Sequence, residues 1–507
     1  MDSAYNSFPK FEETWKGSLK ERAATLRDEF PDYHLYKPES LVSASYVRSF
    51  QLGTGASIYT QSLIPAIVKA KHEVILVTCF WAPSATLSAL KEALEKLAED
   101  RRKRILTSGS ENTLSPLRIR ICFSSRSLFQ KLFHTSSKDG YVYPPSTWPT
   151  QLGLPSQETL EAGLIDLRVK SLFFLPFSVM HPKFLIIDRQ TAWIPSCNVS
   201  WEAWLEGCVE ITGNAVDNLV KFYRNVWDRN LERHVAPELD AADPLDLGAL
   251  ASVPSSANLL ECFSPELLAQ TILLPSSHHR NPQFDFLPWR TSPSPPATPL
   301  NHAILRLLDM AEHTVYMQTP NLTSAAVIDG IIEALKRGVN VTIVTSKRLM
   351  ILEQLVTAGT TTWLCVRSLI RNYTRLQAQA SESQGRLDID NSEQPIDIEA
   401  QRPRLGTLSI DYFCPHPEYP VGDVENSAAE EPVQSHIKLT IVDGQYVVLG
   451  SGNMDRASWF TSQELGILFH SRELASTVGA AVSQVLSRRR EPVFSSATDN
   501  QSEQHFN

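Results

Sequence analysis

Several features that would have assigned this chain to a simple class are missing. Its seven cysteines are scattered, with no Cys-x-x-Cys pair and no Cys/His spacing of the zinc type. That argues against a disulfide framework and a metal-ligand set, so no cofactor and no metal is expected. No long apolar run is present either. The strongest, Leu172 to Met180, is short and interrupted by Pro176, which excludes it as a bilayer-spanning helix. The first sixteen residues are polar and carry Asp2, Glu12 and Glu13, without an apolar targeting core or an arginine-rich presequence. A cytoplasmic protein, with peripheral membrane contact at most, is the expectation.

A net positive charge is missing as well. The formal net charge is -9. Residues 381–431 hold twelve acids against three bases, which equals that whole imbalance, so the rest of the chain is neutral. A neutral body does not suit bulk nucleic-acid binding, which needs many phosphate contacts from Lys and Arg. It still allows a local pocket for one phosphate.

What is present is a stretch that occurs twice. The first copy runs His181-Pro-Lys183-Phe-Leu-Ile-Ile-Asp188, with Ser196-Cys-Asn198 after a turn. The second runs His436-Ile-Lys438-Leu-Thr-Ile-Val-Asp443, with Gly450-Ser451-Gly-Asn453. Lys, Asp, Ser and Asn stand at the same offsets from His in both copies, and Glu210 and Glu464 follow at nearly the same distance. One His-x-Lys-x4-Asp is weak evidence; two that agree at five positions are strong.

The surroundings repeat too. In the first half, helical spacing over 58–68 leads to a strand at 73–78, a helix at 84–99 and a strand at 117–123. In the second, a helix at 304–311 leads to a strand at 314–319, a helix at 324–337 and a strand at 339–345. Strand and helix alternate, so an α/β fold of two pseudo-symmetric halves with mixed sheets is expected. The expected layout is a polar lead-in over 1–45 with one helix near 18–29, a first half over 46–250, an irregular Pro/Ser-rich connector over 251–300 and a second half over 301–490. The acidic 381–431 reads as a disordered insert and 491–507 as a disordered tail.

Side chains two apart on a strand share a face, which pairs His181 with Lys183 and His436 with Lys438. Lys supplies charge to a phosphate, and His can act as nucleophile or proton donor. Ser196, Asn198, Ser451 and Asn453 are candidate neutral donors to phosphate oxygens. Asp188 and Asp443 fall on the opposite parity, so they read as structural. The candidates for orienting the imidazoles are Glu210 and Glu464.

The paired motif resembles the phospholipase D superfamily, whose signature is His-x-Lys-x4-Asp followed by Gly-Ser-x-Asn, twice in one chain. The second copy, with Asp455, Arg456, Ser458 and Glu464 after it, resembles the cardiolipin synthase and bacterial phospholipase D branch in particular. Pro195 stands where the family has Gly, and Val199-Ser-Trp-Glu replaces the family's continuation in the first copy. The resemblance implies one site formed by both motifs within a single chain, with no obligatory oligomer. It implies a phosphohistidine on His181, a general acid at His436, and Lys183, Lys438, Asn198 and Asn453 on the phosphate. No metal is implied. The expected partner is a phospholipid, with an alcohol such as glycerol as a second substrate. A nuclease and a non-catalytic phospholipid-binding scaffold are the alternatives. Phe177 and Trp201, close to the first motif, are the expected pocket wall.

Overall fold

The computed structural model describes residues 7–22, 30–35, 37–107, 114–126, 139–174, 178–200, 203–228, 252–277, 294–347, 349–390, 405–419 and 430–497. The first half supplies strands β1 (Val42–Thr54), β2 (Glu73–Phe80), β3 (Leu117–Ser125), β4 (Tyr141–Val142) and β5 (Ile165–Ser171). A short ribbon, β6 (Phe173–Phe174) and β7 (Ser178–Val179), precedes β8 (Phe184–Ile187), β9 (Thr191–Pro195) and β10 (Trp204–Thr212). The second half supplies β11 (Leu259–Ser276), β12 (Thr314–Thr319), β13 (Asn340–Thr345), β14 (Leu408–Phe413), β15 (Gln434–Ser435), β16 (Leu439–Val442), β17 (Tyr446–Gly450), β18 (Glu464–His470) and β19 (Arg490–Ser495).

The same pairing scheme is built twice. The first half runs β5-β3-β2-β8-β9-β10-β1, and the second runs β14-β13-β12-β16-β17-β18-β11. In each, the first two pairings are parallel and the other four antiparallel. Helices such as Ala85–Thr107 and Ala325–Lys336 make the parallel crossovers, as parallel neighbours require. The fold is therefore mixed α/β, with a sheet of 17 strands among the described residues, joined by the antiparallel pair β1–β11.

Strand β11 corrects the expected irregular connector. Its apolar residues come in runs (Leu259-Leu260, Leu267-Leu268, Ile272-Leu273-Leu274) rather than in alternation, so period two is hidden. Pro265 falls at the register shift opposite Arg48, between the Ser49↔Cys262 and Val47↔Leu267 pairs, where a missing N–H costs no ladder bond. The lead-in is corrected as well. Its helix is Ser7–Arg22, earlier than expected, and it buries Phe8, Phe11, Trp15 and Leu19 at helical spacing. Trp15 Nε1 donates to Pro299 O at 3.1 Å, which fastens this helix to the start of the second half. At the other end, β19 pairs with β14, so the first residues of the expected tail are a sheet edge. Helix Thr362–Asp390 runs into the acidic segment, whose residues 391–404 and 420–429 lie outside the described ones.

Candidate active site

The two motifs meet because each lies beside the other half's carboxylate-bearing strand. His181 N donates to Gln463 O at 2.9 Å, and His436 N donates to Leu205 O at 2.8 Å. β10 and β15 pair in parallel at Trp204↔Gln434 and Leu205↔Ser435, and Met180 forms a parallel bridge with Gln463. The next residues along those strands are Glu464 and Glu206. His181 Nδ1 lies 2.8 Å from Glu464 Oε2, and His436 Nδ1 lies 2.8 Å from Glu206 Oε1. Each imidazole is thus held by a glutamate from the other half.

This arrangement corrects the assignment of Glu210. It lies on β10, but four residues beyond Glu206, about 13 Å along a strand. There it accepts from Ser49 Oγ at 3.0 Å and pairs with Arg48 at 3.3 Å. Counting from His misled because the halves differ in length after the Asn. In the second half the short helix Arg456–Phe460, capped by Asp455, intervenes before Glu464. The better guide is the Ser. Ser196 Oγ accepts from Gly207 N and Ser451 Oγ from Leu465 N, both at 2.9 Å, which aligns Glu206 with Glu464.

The serines are corrected with it. Ser196 Oγ donates to Glu206 Oε2, and Ser451 Oγ donates to Glu464 Oε2 at 2.5 Å. Their donors therefore go to the carboxylates rather than to a phosphate. Ser458 Oγ gives Glu464 a further bond at 2.7 Å.

Lys183 and Lys438 are both buried, and each Nζ donates to the carbonyl of its own His, at 3.0 and 2.6 Å. The motif residues 181–183 and 436–438 form extended leads into β8 and β16 rather than strand proper. Asn198 Oδ1 accepts from Thr78 Oγ1 and from the backbone N–H of Cys79 and Phe80, at 3.2–3.3 Å. Asn453 Nδ2 donates to Asp455 at 3.0 Å, while its buried Oδ1 has no partner among the described residues. Asp188 closes the β8 turn with a left-handed backbone (φ 53) and accepts from Lys71, His72 and Glu73 N–H at 2.8–3.0 Å. Asp443 (φ 49) does the same for Glu312, His313 and Thr314. Both aspartates fasten the motif turn to the start of the neighbouring strand, β2 or β12.

Phe177 and Trp201 lie outside the described residues. Trp204 instead packs its ring on His436, centroids 4.9 Å apart. Glycine is required at Gly450 (φ 144), where a Cβ would meet Leu465 O at 2.3 Å. Its first-half counterpart Pro195 pairs with Cys208 at the end of β9.

The electrostatics follow from burial and from the crossing. Burial pushes His436 down to about 3, partly opposed by the Glu206 charge, and the Lys438 and Lys183 ammonium groups add to the fall. Burial also lowers His181, against the pull of Glu464, with Lys183 and Lys438 again lowering it. Each His therefore feels the lysine charges of both halves. Lys438 is lowered to about 7, first by burial and then by Lys183, against the pull of Glu206. For Glu206 burial acts upward, but His436, Lys438 and Ser196 together hold it below the usual range. Since a carboxylate can only accept, each Nδ1 is the donor. Each neutral imidazole then carries its lone pair on Nε2, away from the glutamate. Such a nitrogen can attack a phosphorus centre, and its counterpart in the other half can act as an acid once it has taken up a proton.

Residues 304–486 match the family model described as "Cardiolipin synthase, PLD-like domain". That segment is a phospholipase D-like domain. It contains the second motif and Glu464, while residues 42–226 repeat the strand order of the phospholipase D-like domain outside the matched span. Comparison with curated proteins gave no match. Among solved structures, the phosphatidylserine synthase of Haemophilus influenzae Rd KW20 is similar over 94% of this chain and 92% of its own, at 13% identity and TM-score 0.48. Polyphosphate kinase from Porphyromonas gingivalis is similar over 87% of this chain and 47% of its own, at 11% identity and TM-score 0.42. The phospholipase D family member Nuc from Salmonella typhimurium matches 38% of this chain and 88% of its own, at 18% identity and TM-score 0.22. Among the described residues no helix is long and apolar enough to cross a membrane.

Proposed function

We propose that this chain is a phosphodiesterase or phosphatidyltransferase acting on phospholipid head groups through a phosphohistidine, without a metal ion. The observation that carries the reading is the crossed pair His181–Glu464 and His436–Glu206 beside Lys183 and Lys438. The phospholipase D-like match over 304–486 supports the lipid class.

His181, the less buried of the two imidazoles (12% against 4% side-chain exposure), acts as nucleophile. Its Nε2 attacks phosphorus, and the P–O bond to the leaving alcohol breaks. His436, which takes up a solvent proton on Nε2 when the phosphate binds, gives that proton to the departing oxygen. Water or a second alcohol then loses its proton to His436 and attacks phosphorus, and the P–N bond breaks. Glu464 and Glu206 stabilise the cationic imidazoles as they form, and the lysines balance the phosphate charge. A bound substrate phosphate adds negative charge beside His436, which raises it towards the range where it can take up and donate a proton.

The test is an assay in EDTA with labelled phosphatidylcholine, phosphatidylglycerol and single-stranded DNA, with and without a primary alcohol. Lipid cleavage, with an alcohol adduct when alcohol is present, is expected. A dependence on divalent ion, or activity that survives loss of both histidines, would sink the mechanism. Cleavage of the DNA alone would replace the lipid reading with a nuclease.

A further inference from the structure

Of the thirteen large apolar side chains that stand exposed among the described residues, six fall within one short stretch: Ile351, Leu352, Leu355, Val356, Trp363 and Leu364. They lie on helix Ile351–Ala358 and on the first turn of helix Thr362–Asp390, joined across Gly359 in the left-handed conformation. The first of these helices is inverted. Its one buried side chain is Gln354, while its aliphatic residues face outward. A helix of a water-soluble body normally does the reverse.

Gln354 is held firmly. Its Nε2 donates to Asn321 Oδ1 at 2.8 Å, and its Oε1 accepts from Thr362 N at 2.6 Å. Asn321 Nδ2 reaches Asp455 at 3.4 Å, and Asp455 accepts from Asn453 Nδ2 at 3.0 Å. The outward apolar face is thus three hydrogen bonds from the candidate phosphate site.

Charge indicates what covers this face. The Arg367 guanidinium stacks on Trp363 at 4.6 Å, and Arg371 and Arg375 follow at intervals of one helical turn, both exposed. From 351 to 381 these three arginines face a single acid, Glu353. An apolar tip, a tryptophan at its border and a row of arginines behind it match the depth profile of a bilayer with anionic head groups.

We propose that 351–364 docks the chain on an anionic phospholipid surface beside its active site, with the aliphatic tip inserted and Arg367, Arg371 and Arg375 on the head groups. The choice of occupant rests on the lipid reading above. The test is flotation of the full chain with vesicles of phosphatidylcholine, alone or mixed with phosphatidylglycerol. The wild type should float with the mixed vesicles. Leu352→Glu/Val356→Glu should lower the bound fraction at least tenfold and leave cleavage of soluble bis(p-nitrophenyl) phosphate within twofold. Arg367→Glu/Arg371→Glu should remove the preference for anionic vesicles. A wild type that never floats, or a Leu352→Glu/Val356→Glu variant that floats equally well, overturns the proposal. So does a wild-type dimer in sedimentation velocity that the same pair of substitutions abolishes, which would assign the face to a second copy. Flotation is read without turnover. A chain that floats but cleaves no diester would defeat the lipid-enzyme reading and leave the docking surface standing, and a diesterase that never floats would do the opposite.

Discussion

Glu206 and Glu210 show how much a few residues matter. Both lie on β10 and share a parity, yet one grips His436 and the other lies at Arg48 and Ser49. Glu206→Gln should lower kcat by about 10²–10⁴, because the amide no longer fixes the Nδ1–H tautomer or stabilises the imidazolium. Glu210→Gln should leave kcat within about twofold; steady-state kinetics on both variants checks the pair. Asp188 belongs to stability instead. Asp188→Ala strands three backbone N–H groups, and a loss of about 2–3 kcal/mol is expected in urea unfolding, with KM little changed. His436 carries a pH signature. Its folded-state value is depressed from 6.5 to about 3, so the unfolded chain takes up the proton first. The stability is complete above about pH 6.5 and is lost as pH falls towards 3, by about 2 kcal/mol between pH 7.5 and 5. His436→Gln should flatten that part of the stability-against-pH curve relative to wild type.

At the scale of elements, the parallel strands and their crossover helices were legible, since β2, β3, β12 and β13 are short apolar runs between clear helical patterns. Elements whose partners lie far away in sequence were not. β11 takes its register from β1 and β18, more than 180 residues distant on either side, and its own sequence is punctuated by Pro265 and Pro275. Helix Ser7–Arg22 is mostly charged and polar, and its four large apolar residues become a buried stripe only when the second half lies beneath them. Trp15→Ala should therefore cost about 3–5 kcal/mol, a core-sized loss from what reads as a lead-in, measured as a shift in denaturation midpoint at unchanged m-value.

For the molecule as a whole, the exchange of glutamates makes each histidine depend on the other half. Glu464→Gln should perturb the downfield Nδ1–H resonance of His181 and leave that of His436 in place, although His436 is the closer in sequence. The converse pattern, a change at His436 alone, would show that each half serves its own imidazole. The crossing has a simple origin. The His leads run parallel to the strand ends Leu205–Glu206 and Gln463–Glu464, so the nearest carboxylate to each imidazole is the one across the junction.

By itself the sequence determined the doubled spacing that carries His181, Lys183 and Asp188 in one half and His436, Lys438 and Asp443 in the other, and the duplicated α/β plan. All of these are written in local spacing, which strand parity and helical period translate directly. Tertiary structure alone decided which glutamate serves which histidine and that Ser196 and Ser451 bond to those glutamates. It also decided that β11 seams the halves and that the helix Ile351–Ala358 turns its aliphatic side outward. Each depends on contacts between residues far apart in the chain, and no local period records them.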